Sequence, residues 1–377
     1  VGEPGRSAIG AWSGGRFLRY GETIAEQRLE GLLRPGGGID TVLSADAYGQ
    51  GEADSVLGRA LAGVPRESYT AIGAVGHDFY EGERDGPKGF PRFTDPSLRG
   101  PGEYADYLRM ATERSLERIG IDCFDLLLLH NPDRTGYGSE AVWDGMAALR
   151  EAGLTARIGV APGPANGFTL DLISCLERFG EVIDWAMIIL NPFEPWPGEL
   201  CLDAAARQEV KVLTRVVDYG GLFWGDLRPG MELAQGDHRG FRPDGWIEAG
   251  LEKLERALPF AERAGLTPIQ LACQWNLAHP AVECVAPTLI QEAYEGAPTI
   301  EQKRADLAAL PAEQRLGADD VAALRAIGDN TGSMALKGAS PQFEGEPQAD
   351  RWPMTGELRE LAARWAIEPE RDLATAA

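Results

Sequence analysis

The fold class this sequence predicts is α/β, a closed (β/α)8 or TIM barrel, and three observations predict it. Short β-prone runs alternate with longer amphipathic segments over most of the chain, as strands and helices do in right-handed βα units. The β-prone runs are apolar on both faces, which is the pattern of strands covered on both sides of a parallel sheet. Seven or eight such units in about 300 residues suit a barrel of roughly 250 residues plus insertions.

Taken in order, strands are expected at Thr41 to Ala45, Tyr69 to Val75, Phe124 to Leu129, Arg157 to Ala161, Trp185 to Leu190, Val210 to Arg215 and Ala281 to Val285. Helices are expected at Glu22 to Leu33, Glu52 to Leu61, Glu103 to Ile119, Glu140 to Ala152, Thr169 to Phe179, Gly250 to Ala264 and Pro268 to Leu277. A doubly wound sheet is the competing arrangement. Against it, no GxGxxG follows the first strand, and RPGGGID around Gly36 precedes a strand, reading as a helix stop and turn.

Two segments leave the repeat. His77 to Gly102 is a long Gly/Pro/Asp-rich connection after the Tyr69 to Val75 strand, and loops of that length inside a compact domain are commonly functional. From Gly328 onward, GDNTGSMALKGAS reads as ordered loop, and DRWPMTGELRELAARWAIEP as a capped amphipathic helix with Trp352 and Trp365 as packing anchors. The expected organisation is a barrel over residues 1–327 and a C-terminal extension, 328–377, packed on it.

Of the 377 residues 44% are hydrophobic and 25% charged, enough to bury a large core, and the formal net charge is -22. A field of that sign repels nucleic acid and anionic membranes, so neither is an expected partner; a small-molecule substrate is, and a homo-oligomer is left open. Five cysteines without a CxxC pair read as buried hydrophobes in a reducing cytoplasm, with no metal site. No apolar run approaches the roughly 20 residues that span a bilayer, and the N-terminus carries no signal-peptide pattern. The expectation is a soluble cytoplasmic protein.

In a barrel the reactive side chains come from the carboxyl ends of the strands and the loops after them. Those positions hold Ser44, Asp46 and Tyr48, then His77 and Asp78, then His130 and Asn131, then Asn191 and Glu194, then Arg215, Asp218 and Tyr219. A polar rim over apolar strands is expected to bind a polar substrate. His77 and Asp78, adjacent in the long loop, are candidates for a substitute acid/base pair or metal ligands, against the reading that neighbours in sequence diverge in direction. Arg215 is a candidate to clasp a substrate carboxylate or vicinal hydroxyls, against an Arg215–Asp218 ion pair closing the mouth.

The blocks DAYGQGEADSVLGRAL, DLLLLHNPD, RIGV and LPFAERAGLTPIQLACQWNLAHPAV, in that order from about Ile39 to Pro287, resemble the aldo-keto reductase superfamily. The resemblance implies an aldo-keto reductase type barrel and an NAD(P)-linked oxidoreductase acting on a carbonyl or hydroxyl of a sugar-like or polyol-like molecule. It places the catalytic tyrosine on Tyr48 and the histidine on His130. The family's aspartate falls on Leu43 and its lysine on Ala74, so half of the tetrad is absent.

The two losses belong together physically. Removing one partner of a buried ion pair strands the other charge at a cost of about 3–5 kcal/mol, whereas replacing both with apolar groups is often neutral. Tyr48 is therefore expected to have no ammonium to bring its pKa down from about 10.

The resemblance also implies cofactor contacts that this sequence alters. The family's S-N-F corresponds to Ala161, Pro162 and Gly163, its glutamine falls near Met187, its stacking aromatic near Arg215, and VAPTLIQEAYEG replaces the phosphate-binding stretch. Lys303 and Arg304 are the candidates to meet a cofactor phosphate, against a solvated helix face. NADP or NAD is the implied cofactor. The alternatives are a cofactor-independent lyase, dehydratase or isomerase in which Tyr48 and His130 move protons, and a catalytically silent binding barrel.

Overall fold

The computed structural model describes residues 2–86, 89–163, 168–330 and 338–373. Eight parallel strands follow one another around a single sheet: β1 (Ala8–Gly10), β2 (Thr41–Leu43), β3 (Thr70–Val75), β4 (Leu126–His130), β5 (Ile158–Ala161), β6 (Trp185–Ile189), β7 (Lys211–Arg215) and β8 (Val282–Ala286). A parallel bridge between Ser7 and Val285 joins the last strand to the first, so the sheet closes into a barrel. Seven strands lie within a residue or two of their expected places. The eighth, β1, has three residues and went unread in the sequence.

The ring of helices is α1 (Glu26–Leu33), α2 (Glu52–Leu61), α3 (Tyr104–Ile119), α4 (Arg134–Gly138), α5 (Glu140–Glu151), α6 (Thr169–Phe179), α7 (Leu202–Arg207), α8 (Trp246–Ala264), α9 (Pro268–Leu277), α10 (Ile300–Ala308) and α11 (Ala318–Ile327). α9 starts where its sequence says it should: Thr267 accepts from the backbone N–H of Gln270, whose side chain reaches back to Thr267, and Pro268 follows the cap.

Two apolar layers hold the barrel. Leu43, Ile72, Leu126, Leu128, Trp185, Met187, Leu213 and Cys284 fill the interior, while residues on the other face of each strand, such as Val42, Leu127 and Val212, pack under the helices. Period-two alternation thus sorts a doubly apolar strand into an inner and an outer set.

Beyond α11 the chain runs back over α6. The loop reading for residues 328–340 falls largely on 331–337, outside the described residues. β9 (Gly338–Ser340) pairs with β10 (Arg351–Pro353), and α12 (Gly356–Arg364) is capped by Thr355. Trp352 is fully buried, 4.9 Å from Phe168 between ring centres, and its indole N–H donates to Asp171 at 3.0 Å. Trp365 donates to Glu177 at 2.7 Å.

Candidate active site

Inward-facing positions on successive strands end at the carboxyl mouth of the barrel, and what stands there follows from period two. On β4 the series is Leu126, Leu128, His130; on β7, Leu213, Arg215; on β3, Ile72, Ala74. These top positions border a pocket of about 560 Å3, the solvent at its opening included. Trp12, Leu18, Leu43, Ala74, Leu128 and Met187 give it an apolar wall. Its polar side chains include Tyr20, Tyr48, His130, Asn131 and Arg215.

Tyr48 sits in the turn between β2 and α2, its N–H on the Ala45 carbonyl at 3.0 Å. Its ring meets His130 edge-on at 5.8 Å. Burial raises the phenol pKa above its usual value near 10; the nearby Arg215 guanidinium pulls the other way and is outweighed. The hydroxyl is a neutral hydrogen-bond donor. Leu43 and Ala74 are buried in the wall beside it. Lys211, Lys253 and Lys303, the described lysines, are engaged by Glu283, the Gly328 carbonyl and Asp226. Among the described residues no lysine reaches the phenol, and the cation whose field acts on it is the Arg215 guanidinium.

His130 is held down to a pKa of about 3 by burial first, then by Arg215 and Arg92, and is a neutral imidazole whose Nδ1 is buried without a partner among the described residues. A glycine sets its height: a Cβ on Gly76, at φ 154°, would stand 2.6 Å from the His130 carbonyl oxygen. His77 stacks edge-on behind His130 at 5.0 Å and accepts from Asn131 Nδ2 at 3.1 Å. Burial, Arg92 and His130 keep its pKa well below the usual range.

Arg215 donates to the carbonyls of Pro162 and Gly163 at 3.0 and 3.1 Å, and its Nε is buried without an acceptor among the described residues. The next residue, Val216, takes φ 57°, rare for a β-branched residue, and Asn191 Nδ2 holds its carbonyl at 3.0 Å.

Several expected rim residues lie elsewhere. Asp46 is fully buried behind the pocket near Asp54, Arg118 and Asp78, its carboxyl raised well above the usual range by burial and then by Asp54. Asp78 diverges from His77: it accepts from the N–H groups of Tyr80 and Glu81, both at 3.0 Å, and from Arg99. Asn191 also accepts from the N–H of Phe193 at 3.0 Å. Asp218 accepts from the N–H groups of Thr288 at 2.7 Å and Gly221 at 2.8 Å, so it ties two loops and makes no ion pair with Arg215. Tyr219 packs against Phe193 and Trp246 under the Arg242 guanidinium, 4.2 Å from its ring centre. These five shape the loops; the pocket is bordered by Tyr48, His130, Asn131 and Arg215, with His77 directly behind.

Trp12, Leu18, Tyr20 and Thr288 were missed in the sequence. Trp12 folds back over Gly10, where a Cβ would lie 2.3 Å from its ring, and three residues of strand gave no periodicity to point at it.

Lys303, Arg304 and the groups around the VAPTLIQEAYEG stretch, which the resemblance sets at a cofactor phosphate, test the cofactor expectation. Lys303 is buried, its ammonium on Asp226 at 2.5 Å and the Ile290 carbonyl at 2.6 Å. Arg304 donates to the carbonyls of Leu32, Arg34 and Gly36. Arg239 is buried between Asp237 and Glu292, at 2.8 and 2.6 Å. At the start of α10, Ile300 N–H is taken by Gln291 and Gln302 N–H by Thr299. Lys303 is buried and Arg304 half-buried, both with their donors engaged, and with Ala161 and Met187 in the wall this donor set does not fit a dinucleotide held in the family's manner.

Inward polar groups at several strand ends over an apolar barrel are the arrangement in which barrel enzymes carry their sites. The aldo/keto reductase family model matches residues 9–327, and this chain belongs to that family, as a divergent member with an incomplete tetrad and as an enzyme of an oxidoreductase family. A 6-dehydroglucose reductase of Agrobacterium fabrum is 27% identical over 285 residues, 74% of this chain and 82% of that one. An aldo-keto reductase of Mycolicibacterium smegmatis is 29% identical over 199 residues, 50% of this chain; the match spans 65% of that relative's length. The solved glycerol dehydrogenase of Gluconobacter oxydans superposes with TM-score 0.65 at 20% identity, covering 85% of this chain and 90% of that one. An aldo/keto reductase of Klebsiella pneumoniae, in complex with NADP and acetate, superposes with TM-score 0.54 at 20% identity, covering 91% and 94%. No helix among the described residues is long and apolar enough to cross a membrane.

Proposed function

We propose that this chain is an NAD(P)-linked carbonyl/hydroxyl oxidoreductase for a small, sugar-like polar molecule, in which a nicotinamide held otherwise than in the family's manner would supply or take up the two electrons. The observation that carries the reading is the edge-on meeting of Tyr48 and His130 over one pocket, 5.8 Å apart. Family membership and the name of the Agrobacterium fabrum relative support the substrate class.

The steps assigned to this chain's own residues are proton steps. Tyr48, neutral and shielded, donates its hydroxyl hydrogen toward the substrate oxygen. His130, neutral down to about pH 3, orients that oxygen without adding charge. The apolar wall around them excludes water and strengthens both interactions.

A second reading, a redox-neutral isomerase or dehydratase using the same pair, is favoured by one observation: Lys303, Arg304 and Arg239 are all engaged inside the protein. Titration with NADPH and NADH, followed by tryptophan fluorescence, separates the two. Saturable micromolar quenching is expected of the oxidoreductase; its absence with both, alongside turnover of a hydroxy-carbonyl sugar, replaces it with the redox-neutral enzyme.

A further inference from the structure

Arg215 is out of keeping with its surroundings. The chain carries a formal net charge of -22, with 58 acidic residues, and the described residues include every one of them. Even so, among the described residues no carboxylate pairs with Arg215, while buried Arg239, Arg99 and Lys303 each have one. Its contacts among them are two peptide carbonyls, and its Nε has no acceptor there. Arg92, 6% exposed and also acting on His130, has no ion pair among the described residues; it is bonded to the Asn131 carbonyl, lies 3.2 Å from His77 Nδ1, and feels Asp133 and Asp350 only through their fields.

Arg215 is half-buried, and withdrawing a charge even partly from water without a counter-ion costs folding energy, because burial of a charge is tolerated when it is paired. Carbonyl oxygens satisfy some of its N–H groups and neutralise none of its charge. Within an acidic molecule the pocket is thus bordered by a guanidinium that no described carboxylate contacts, and its remaining donors form part of a planar fork suited to a carboxylate.

We infer that Arg215 is the receptor for an acidic group on the substrate, and that the pocket takes a sugar acid, a polyhydroxy compound carrying one carboxylate. One charge is matched by the one guanidinium bordering the pocket; a dianionic phosphate would leave a charge uncompensated there. The inference rests on the reading of this pocket as the substrate site. Arg215 holds the carboxylate end, and Tyr48 and His130 face the reacting carbon.

The test is binding by calorimetry at constant ionic strength of D-glucuronate against D-glucose and D-gluconate against sorbitol, with glucose 6-phosphate as a further probe. The proteins are wild type, Arg215→Gln, Arg215→Lys and Tyr48→Phe, each checked for folding by its melting curve. The acids are expected to bind at least tenfold tighter than their neutral partners. Arg215→Gln is expected to weaken the acids at least tenfold more than the neutral sugars, so that the preference is lost, and Arg215→Lys restores part of it. A preference that survives Arg215→Gln, or acids binding no better than neutral sugars, overturns the inference and leaves the pocket reading intact. Tighter binding of the phosphate than of either acid overturns the assignment to a carboxylate. No saturable binding of any probe overturns the pocket reading and this inference together.

Discussion

At the scale of single residues, what distinguishes this site is how the phenol and the imidazole are kept neutral beside a charged guanidinium. Burial outweighs Arg215 at Tyr48, so the phenol is a hydrogen-bond donor whose proton is not loosened. Tyr48→Phe is expected to lower kcat by about 10²–10⁴-fold, the usual range for a lost acid/base group. With an accepted sugar substrate in steady-state assays, unchanged kcat would remove Tyr48 from the chemistry. His130 has a second signature. Its folded pKa, about 3, lies below the unfolded value of 6.5, so in between the unfolded chain binds the extra proton. Its stabilising contribution is full above pH 6.5 and is lost as pH falls toward 3. Urea unfolding of His130→Gln between pH 6 and pH 4 is expected to show a shallower fall than wild type, by up to about 1.4 kcal/mol per pH unit.

At the scale of elements, the loops after β7 and β8 are fastened by buried ion pairs, and the pairing logic that explains Leu43 and Ala74 can be tested there. Lys303→Met strands the Asp226 carboxylate and is expected to cost about 3–5 kcal/mol in urea unfolding, while the double change with Asp226→Leu returns most of it. Equal losses in the single and double variants would contradict that account. This fastening could not be read from the sequence, since Lys303 and Asp226 are 77 residues apart and Arg304 reaches carbonyls some 270 residues away. Local signals did better: α2, α6 and α9 begin and end where periodicity and caps put them. β1 failed the same test because three residues carry no period. Among site residues, those continuing an inward series, His130 and Arg215, were legible. Asp46, Asp78 and Asp218 were at the right place along the chain, but the direction of a side chain leaving a strand end is set by the turn that follows.

At the scale of the whole molecule, the barrel is completed by a segment outside the repeat. Trp352 fills a space among Phe168, Tyr137 and Asp171, joining the C-terminal segment to α6 just beyond β5. Trp352→Ala is expected to cost about 3–5 kcal/mol, the range for truncating a buried aromatic. A cooperative transition shifted as a whole in denaturant would mark the segment as part of the barrel's folding unit. Loss of the segment alone, by limited proteolysis with the barrel's transition unmoved, would mark it as an appendage.

The central claim is that this pocket runs its proton chemistry with a phenol that no ammonium among the described residues has tuned. The most direct measurement is the ¹³C resonance of the Tyr48 Cζ in ring-labelled protein, assigned by loss of the signal in Tyr48→Phe and followed from pH 6 to pH 10. The account predicts a shift that does not move over that range. A titration with its midpoint near neutrality would contradict it, and would mean that Arg215 outweighs burial at the tyrosine.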